Sequence, residues 1–242
     1  MTTMSPAARL DQLLGNERRR NATSWVGDAI YGVNDGLGAI FGIISGVAGY
    51  TSESHTILVS GFFGALASTL SMGAGAWLAT KSENELMERS LLDVEKSIQK
   101  QPEREIEILT FIYQEKGFSE EDASYITSHI ASDKHMFLRT MAQEKHGIRE
   151  AGYGSPWISA LVGSVSTFVG AIVPLIPFFF VQGLPAIITA AVISLLAHFV
   201  VGAAKSKVTV RTWWASGIEM TIAGVIVGIV SYALGVLGSH IL

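Results

Sequence analysis

The stretch GVNDGLGAIFG, residues 32–42, holds two competing readings of this chain. In a soluble protein Asn34, Asp35 and Gly36 would mark a turn between two strands, because Asn, Asp and Gly tolerate turn backbone that other residues resist. Here the triplet sits inside an apolar run from Val26 to Tyr50, long enough for a helix to cross a hydrocarbon core of about 30 Å. Four more runs share that character: Ile57 to Thr80, Trp157 to Val181, Leu184 to Ala204 and Trp213 to Ser239. The helical reading therefore wins. The expected fold is an all-α membrane protein: five transmembrane helices with a cytoplasmic helical insert between spans two and three. The expected divisions are an N-terminal tail at residues 1–24, spans one and two at 25–81, an acidic insert at 82–155 and spans three to five at 156–242.

Composition supports this division. Hydrophobic residues make up 49% of the chain and charged residues only 16%, and the charges are gathered in blocks, so one average conceals a membrane part and a watery part. There is no cysteine, which excludes disulfides, thiolate metal sites and cysteine nucleophiles. A net charge of −4 argues against a nucleic-acid partner. Arg18, Arg19 and Arg20 precede the first apolar run, but that run is too long for a signal-peptide core, so it reads as a retained span.

Lysine and arginine set the orientation, since they favour the cytoplasmic side. All 17 lie in the N-terminal tail, in the polar segment starting at Lys81, or in the loop with Lys205, Lys207 and Arg211. The loops TSESH and VQGLPA and the tail SHIL have none. Five spans with the N-terminus inside satisfy this pattern, which puts the insert in the cytoplasm. Trp25, Trp157, Trp213 and Trp214 fall near the same ends, where indole rings prefer the interface.

The insert reads as helices. Span two continues through KSENELMERSLLDVEKSIQKQ, Pro102 suits the first turn of a new helix, and Gly117 ends it. SEED at 119–122 has the form of a capping box that opens a third helix, and a fourth ends near Gly147. Residues 82–150 hold fifteen acidic against nine basic side chains, and most of these carboxylates read as a solvated helical surface. Ahead of span one, Leu10, Leu13 and Leu14 share a helical face, which fits either a helix lying on the inner membrane surface or a tail without structure.

Three acids fall inside the spans. A carboxylate in hydrocarbon costs several kcal/mol unless a partner, water or a cation relieves it. Asp28 is near the cytoplasmic end of span one, where it can serve as an entrance acid or simply start the helix. Asp35 lies about 15 Å deep at 1.5 Å per residue, close to the midplane. A purely structural buried acid would need a basic partner, and no span supplies a lysine or arginine, which favours the alternative of a cation site. Glu219, on span five, can pair with Arg211 or Lys207 or serve the path. Asp28, Gly32, Asp35, Ala39 and Gly42 recur at helical spacing, and Gly38, Gly42 and Gly46 form a small-residue series for close helix packing. With Asn34 and Gly36 on either side of Asp35, the helix is expected to loosen and turn carbonyls toward a cation. In span two the thioether of Met72, within SMGAGAW, reads alone as packing, but set opposite a midplane Asp it is a soft ligand suited to a transition metal. His198 in span four is either a further ligand or a hydrogen-bonded structural residue.

These residues resemble a known family. DAIYGVNDGLGAIFGIISGVAG followed by SMGAGAWLATKSENE is similar to the vacuolar iron transporters, whose first span carries a DG-containing motif and whose second carries SMG with KSE at its exit. The likeness continues through PEREIEILTFIYQEKGFS, GSPW, PLIPF and RTWW, features closest to the prokaryotic branch related to rubrerythrin-fused members. The resemblance implies a homodimer in a prokaryotic plasma membrane that has no tightly bound cofactor and moves Fe(II) or Mn(II) out of the cytoplasm in exchange for protons. It places Asp35 and Met72 on the path and Asp28 at its entrance. It also implies that Glu105, Met141 and Glu144 gather metal in the cytoplasm.

The departures from the family pattern bear on strength. Plant members carry a glutamate where this chain has Gly64 and an acid where it has Ser24, and cytoplasmic glutamates correspond here to Val94, Ser97 and Ile108, a methionine to Thr140. The insert is therefore expected to bind metal less tightly than its relatives, leaving Glu219 as the acid able to supply a missing path carboxylate. Two other classes compete. A membrane di-iron oxidase needs Glu and His at a spacing of three, and no Glu here has a His three residues on. A metal-binding sensor or scaffold would use the insert without translocation.

Overall fold

A long apolar segment in hydrocarbon finds hydrogen-bond partners only within itself, so each becomes a helix. The structure, a computed structural model, describes residues 24–147 and 154–241. The expected amphipathic segment around Leu10, Leu13 and Leu14 lies outside the described residues. Eight α-helices follow one another among the described residues: α1 Ser24–Tyr50, α2 Ser54–Lys100, α3 Pro102–Glu115, α4 Glu120–Ala131, α5 Lys134–His146, α6 Pro156–Ile172, α7 Leu184–Lys205 and α8 Trp213–Ile241. Five of them, α1, α2, α6, α7 and α8, carry stretches long and apolar enough to cross a membrane. They coincide with the five runs read from the sequence. The protein is an all-α integral membrane protein.

The chain divides into two compact units, Met1–Ala76 with Trp157–Leu242, and Trp77–Pro156. In the first, Ile40, Phe41 and Ile44 of α1 meet Ile57 and Ala65 of α2, Leu175 and Phe178 after α6, and Ala186 and Ala190 of α7. α1 packs along α8 and α7 with their backbones close. Many large apolar side chains face outward, among them Leu70, Leu161, Leu196, Ile226 and Leu234, as befits surfaces that meet lipid. α6 tightens into a 3-10 segment, Val173–Phe179, where Pro174 and Pro177 supply no backbone N–H.

In the second unit the local signals act as chemistry requires. Pro102 opens α3. Gly117 takes φ +98° just beyond it, a backbone conformation that costs glycine little. The Ser119 hydroxyl accepts the Asp122 N–H at 3.1 Å and starts α4. Asp133 caps α5, and the N–H groups of Met136 and His135 that it accepts hold its carboxyl below the ordinary range. Gly147 closes α5 at φ +67°. Val94, Leu109, Ile130, Phe137 and Met141 form the core.

Candidate metal site in the spans

The backbone around Asp35 differs from expectation in one respect: α1 runs unbroken from Ser24 to Tyr50, with no loosening at residues 34–36. The physical reason lies in Gly36. A Cβ there would meet the Thr167 carbonyl oxygen of α6 at 1.9 Å, and a Cβ on Gly170 would meet the Val33 carbonyl oxygen at 2.1 Å. Glycine at 36 thus lets two helix backbones touch, where van der Waals contact replaces the missing side chain. The carbonyls remain in the helix ladder, so a cation at this level must rely on side chains.

Asp35 is half-buried and lines a groove between α1 and α8 with Gly38, Ala39, Gly42, Ser231 and Gly235. The small-residue series found in the sequence forms this seam: a Cβ on Gly42 would meet Val227 Cγ1 at 3.2 Å, and one on Gly235 would meet the Gly46 carbonyl oxygen at 1.9 Å. From α2, the Ser68 hydroxyl donates to Asp35 Oδ2 at 3.4 Å, a long bond that leaves the carboxylate free to take a stronger partner. Ser68 stands one turn before Met72 on α2. Sequence reasoning missed it because a serine hydroxyl in a span ordinarily bonds its own helix; its place one turn from Met72, on the same face, was the available signal.

Met72 lays its thioether against α6: a Cβ on Gly163 would lie 3.3 Å from Met72 Cγ and 3.8 Å from its sulfur. On the opposite side Gly163 abuts Gly32, one turn before Asp35, whose Cβ would meet the Gly163 carbonyl oxygen at 3.0 Å. Asp35 is thus tied to α2 through Ser68, and Met72, one turn further along α2, lies against α6 at Gly163. The Thr167 hydroxyl of α6 is buried with no hydrogen-bond partner, near enough to α1 that a Cβ on Gly32 would meet it at 3.2 Å. A soft thioether, a carboxylate and loosely held hydroxyls are donors suited to a divalent transition metal. Asp28 belongs to α1, and its side chain lies outside the described residues. Glu219 is exposed, and Arg211 Nη1 lies 3.2 Å from its Oε2.

The insert residues are engaged differently. Glu105 is 4% exposed, and both its oxygens accept from Lys145 Nζ, at 3.0 and 2.9 Å. Glu144 pairs with Lys116. Beside them burial pushes the Tyr113 phenol up, the Glu144 carboxylate adds to this, and Lys116 opposes it. Met141 is fully enclosed in the insert core. Lysine ammonium groups thus already neutralise the two carboxylates. Removing one member of a buried ion pair strands the other, so Lys145→Met should cost the insert about 3 kcal/mol. The partial exposure of Lys145 keeps this at the low end of the range. Hydrogen exchange on the full chain should show faster exchange in α3 and α5, with protection restored in the Glu105→Leu/Lys145→Met double variant.

Comparison with known proteins places the chain. The family model described as the VIT family matches residues 26–236. The chain belongs to the VIT family. It is 29% identical over 219 residues to vacuolar iron transporter 1 of Tulipa gesneriana, covering 90% of this chain and 89% of that one. It is 26% identical over 225 residues to vacuolar iron transporter 1 of Arabidopsis thaliana, covering 93% and 90%. With vacuolar iron transporter cccA of Arthroderma benhamiae it shares 28% over 211 residues, covering 87% and 74%. Within this VIT-family chain, two positions where the sequence departs from the expected acids are filled by packing. A Cβ on Gly64 would meet Ile43 Cδ1 at 2.6 Å, and Val94 is 1% exposed in the insert core.

Proposed function

We propose that this protein is a secondary transporter that carries a divalent transition metal, Fe(II) or Mn(II), out of the cytoplasm in exchange for protons. Family membership supports metal transport in general, and the two plant relatives named as iron transporters match over about nine tenths of their lengths. The observation that carries the reading is Asp35: a half-buried carboxylate in a span, met by a long hydroxyl bond, with no lysine or arginine paired to it among the described residues. A dication relieves that charge, and Met72, one turn from Ser68 on α2, favours a transition metal over Mg²⁺ or Ca²⁺. With the N-terminus cytoplasmic, the insert faces the cytoplasm. Asp28 then stands at the entrance, and Glu219, held by Arg211, acts as a structural acid rather than a path ligand.

The sensor alternative draws less support, because Glu105 and Glu144 face lysines and Met141 is enclosed. Transport rather than catalysis is therefore the reading to test. Full-length protein in liposomes, with an Fe(II)-quenched dye inside, should quench faster than empty vesicles when the lumen is made acidic relative to the bath. An ionophore that collapses the pH gradient should slow it. Dye quenching no faster than in empty vesicles, with either metal, would reject transport.

A further inference from the structure

Among the described residues of the membrane unit, His198 is the titratable side chain held away from solvent and lipid, at 2% exposed. Its Nδ1 lies 2.8 Å from the Ser194 carbonyl oxygen on α7. A carbonyl can only accept, so Nδ1 carries the hydrogen and the neutral ring keeps its lone pair on Nε2. That lone pair faces α1 at Gly38, where a Cβ would stand 3.9 Å away. Phe41 covers the ring on one side, centroids 6.2 Å apart, and Gly224 of α8 lies close against it, a Cβ there falling 3.0 Å from Cγ and Nδ1. Gly38 also lines the groove that holds Asp35, one turn away on α1. Between Nε2 and the groove stands a residue with no side chain.

We propose that His198 is the group that carries the counter-moving proton, an inference that rests on the transport reading above. The Nε2 lone pair takes a proton from the groove to give the imidazolium, and the same N–H bond breaks when the proton is released. Charge supplies the coupling. With Asp35 empty, its negative charge favours the imidazolium; with a dication on Asp35, the imidazolium is repelled and the proton leaves. Metal and proton thereby exclude one another, which is what antiport requires. The groups facing His198 fit this role. α1 offers Asp35. On α8, Glu219 is exposed and tied to Arg211, and Tyr232 is exposed two turns beyond Gly224. On α7 itself the nearest charge is Lys205, two turns on at the helix end.

The test uses full-length protein in liposomes carrying a metal dye and a pH dye together. His198→Asn keeps an N–H for the Ser194 carbonyl and cannot titrate; His198→Gln is the second variant, each checked for wild-type elution in detergent. We expect either folded variant to pass metal down an imposed metal gradient while the accompanying proton signal is lost, and an imposed pH gradient to cease driving metal. Proton flux retained at the wild-type ratio in a folded variant overturns the inference alone. Absence of metal flux in the wild type rejects the transport reading, and this inference with it.

Discussion

Asp35→Asn should stop metal movement while leaving the protein folded. The amide has the shape of the carboxylate and can still accept from Ser68, so the α1–α2 contact at 3.4 Å persists. What disappears is one negative charge. A dication about 3 Å from a carboxylate, at an effective dielectric constant near 20, is held by roughly 10 kcal/mol from that charge alone. Even a modest fraction of this lost at the tightest point of the path lowers flux by about a hundredfold or more. Initial rates of Fe(II) entry into proteoliposomes, compared with wild type at equal protein density, check the effect. Glu219→Gln is the matched contrast. Its carboxylate is exposed and paired with Arg211, so its loss should leave the rate within about twofold, as for surface ion pairs generally. Equal rates for wild type and Asp35→Asn would remove Asp35 from the path, whatever the second variant does.

The parts of this structure that follow from short-range chemistry were legible in the sequence. Each apolar run became a helix because hydrocarbon offers the backbone no other partner. The caps at Ser119 and Gly147 act within a turn or two of their own positions, so their spacing alone announced them. Asp35 was legible because a charge in an apolar run needs an explanation. What escaped were relations between helices. Ser68 lies 33 residues from the carboxylate it meets, and Lys145 lies 40 from Glu105, so no local pattern links them. The direction of the His198 lone pair depends on which neighbour presents a glycine, a fact of packing. Gly36 shows the limit most clearly: its residue type was read as weakening the helix, whereas its lack of a side chain brings a second helix into contact.

That contact yields the second large effect. Gly36→Val should prevent stable assembly of the membrane unit. A Cβ at 36 falls 1.9 Å from the Thr167 carbonyl oxygen and 2.9 Å from the Ala171 nitrogen, both backbone atoms of α6. Backbone cannot swing aside as a side-chain tip can, so α1 and α6 must separate, and the reciprocal contact of Gly170 with Val33 opens with them. Overpacking of this kind costs about 3 kcal/mol or more, a large share of the roughly 5–15 kcal/mol that holds a domain together. Reduced yield, early elution in detergent and a lowered Tm should report it. Gly75→Ala is the control, since nothing lies within 4 Å of a Cβ there and alanine is the better helix former by about 1 kcal/mol. A wild-type Tm for Gly36→Val would mean that the two backbones are not in contact. The two variants also separate two causes of lost flux: Asp35→Asn loses the ion in an intact path, whereas Gly36→Val loses the α1–α6 backbone contact one residue from Asp35 and with it the packing of the unit.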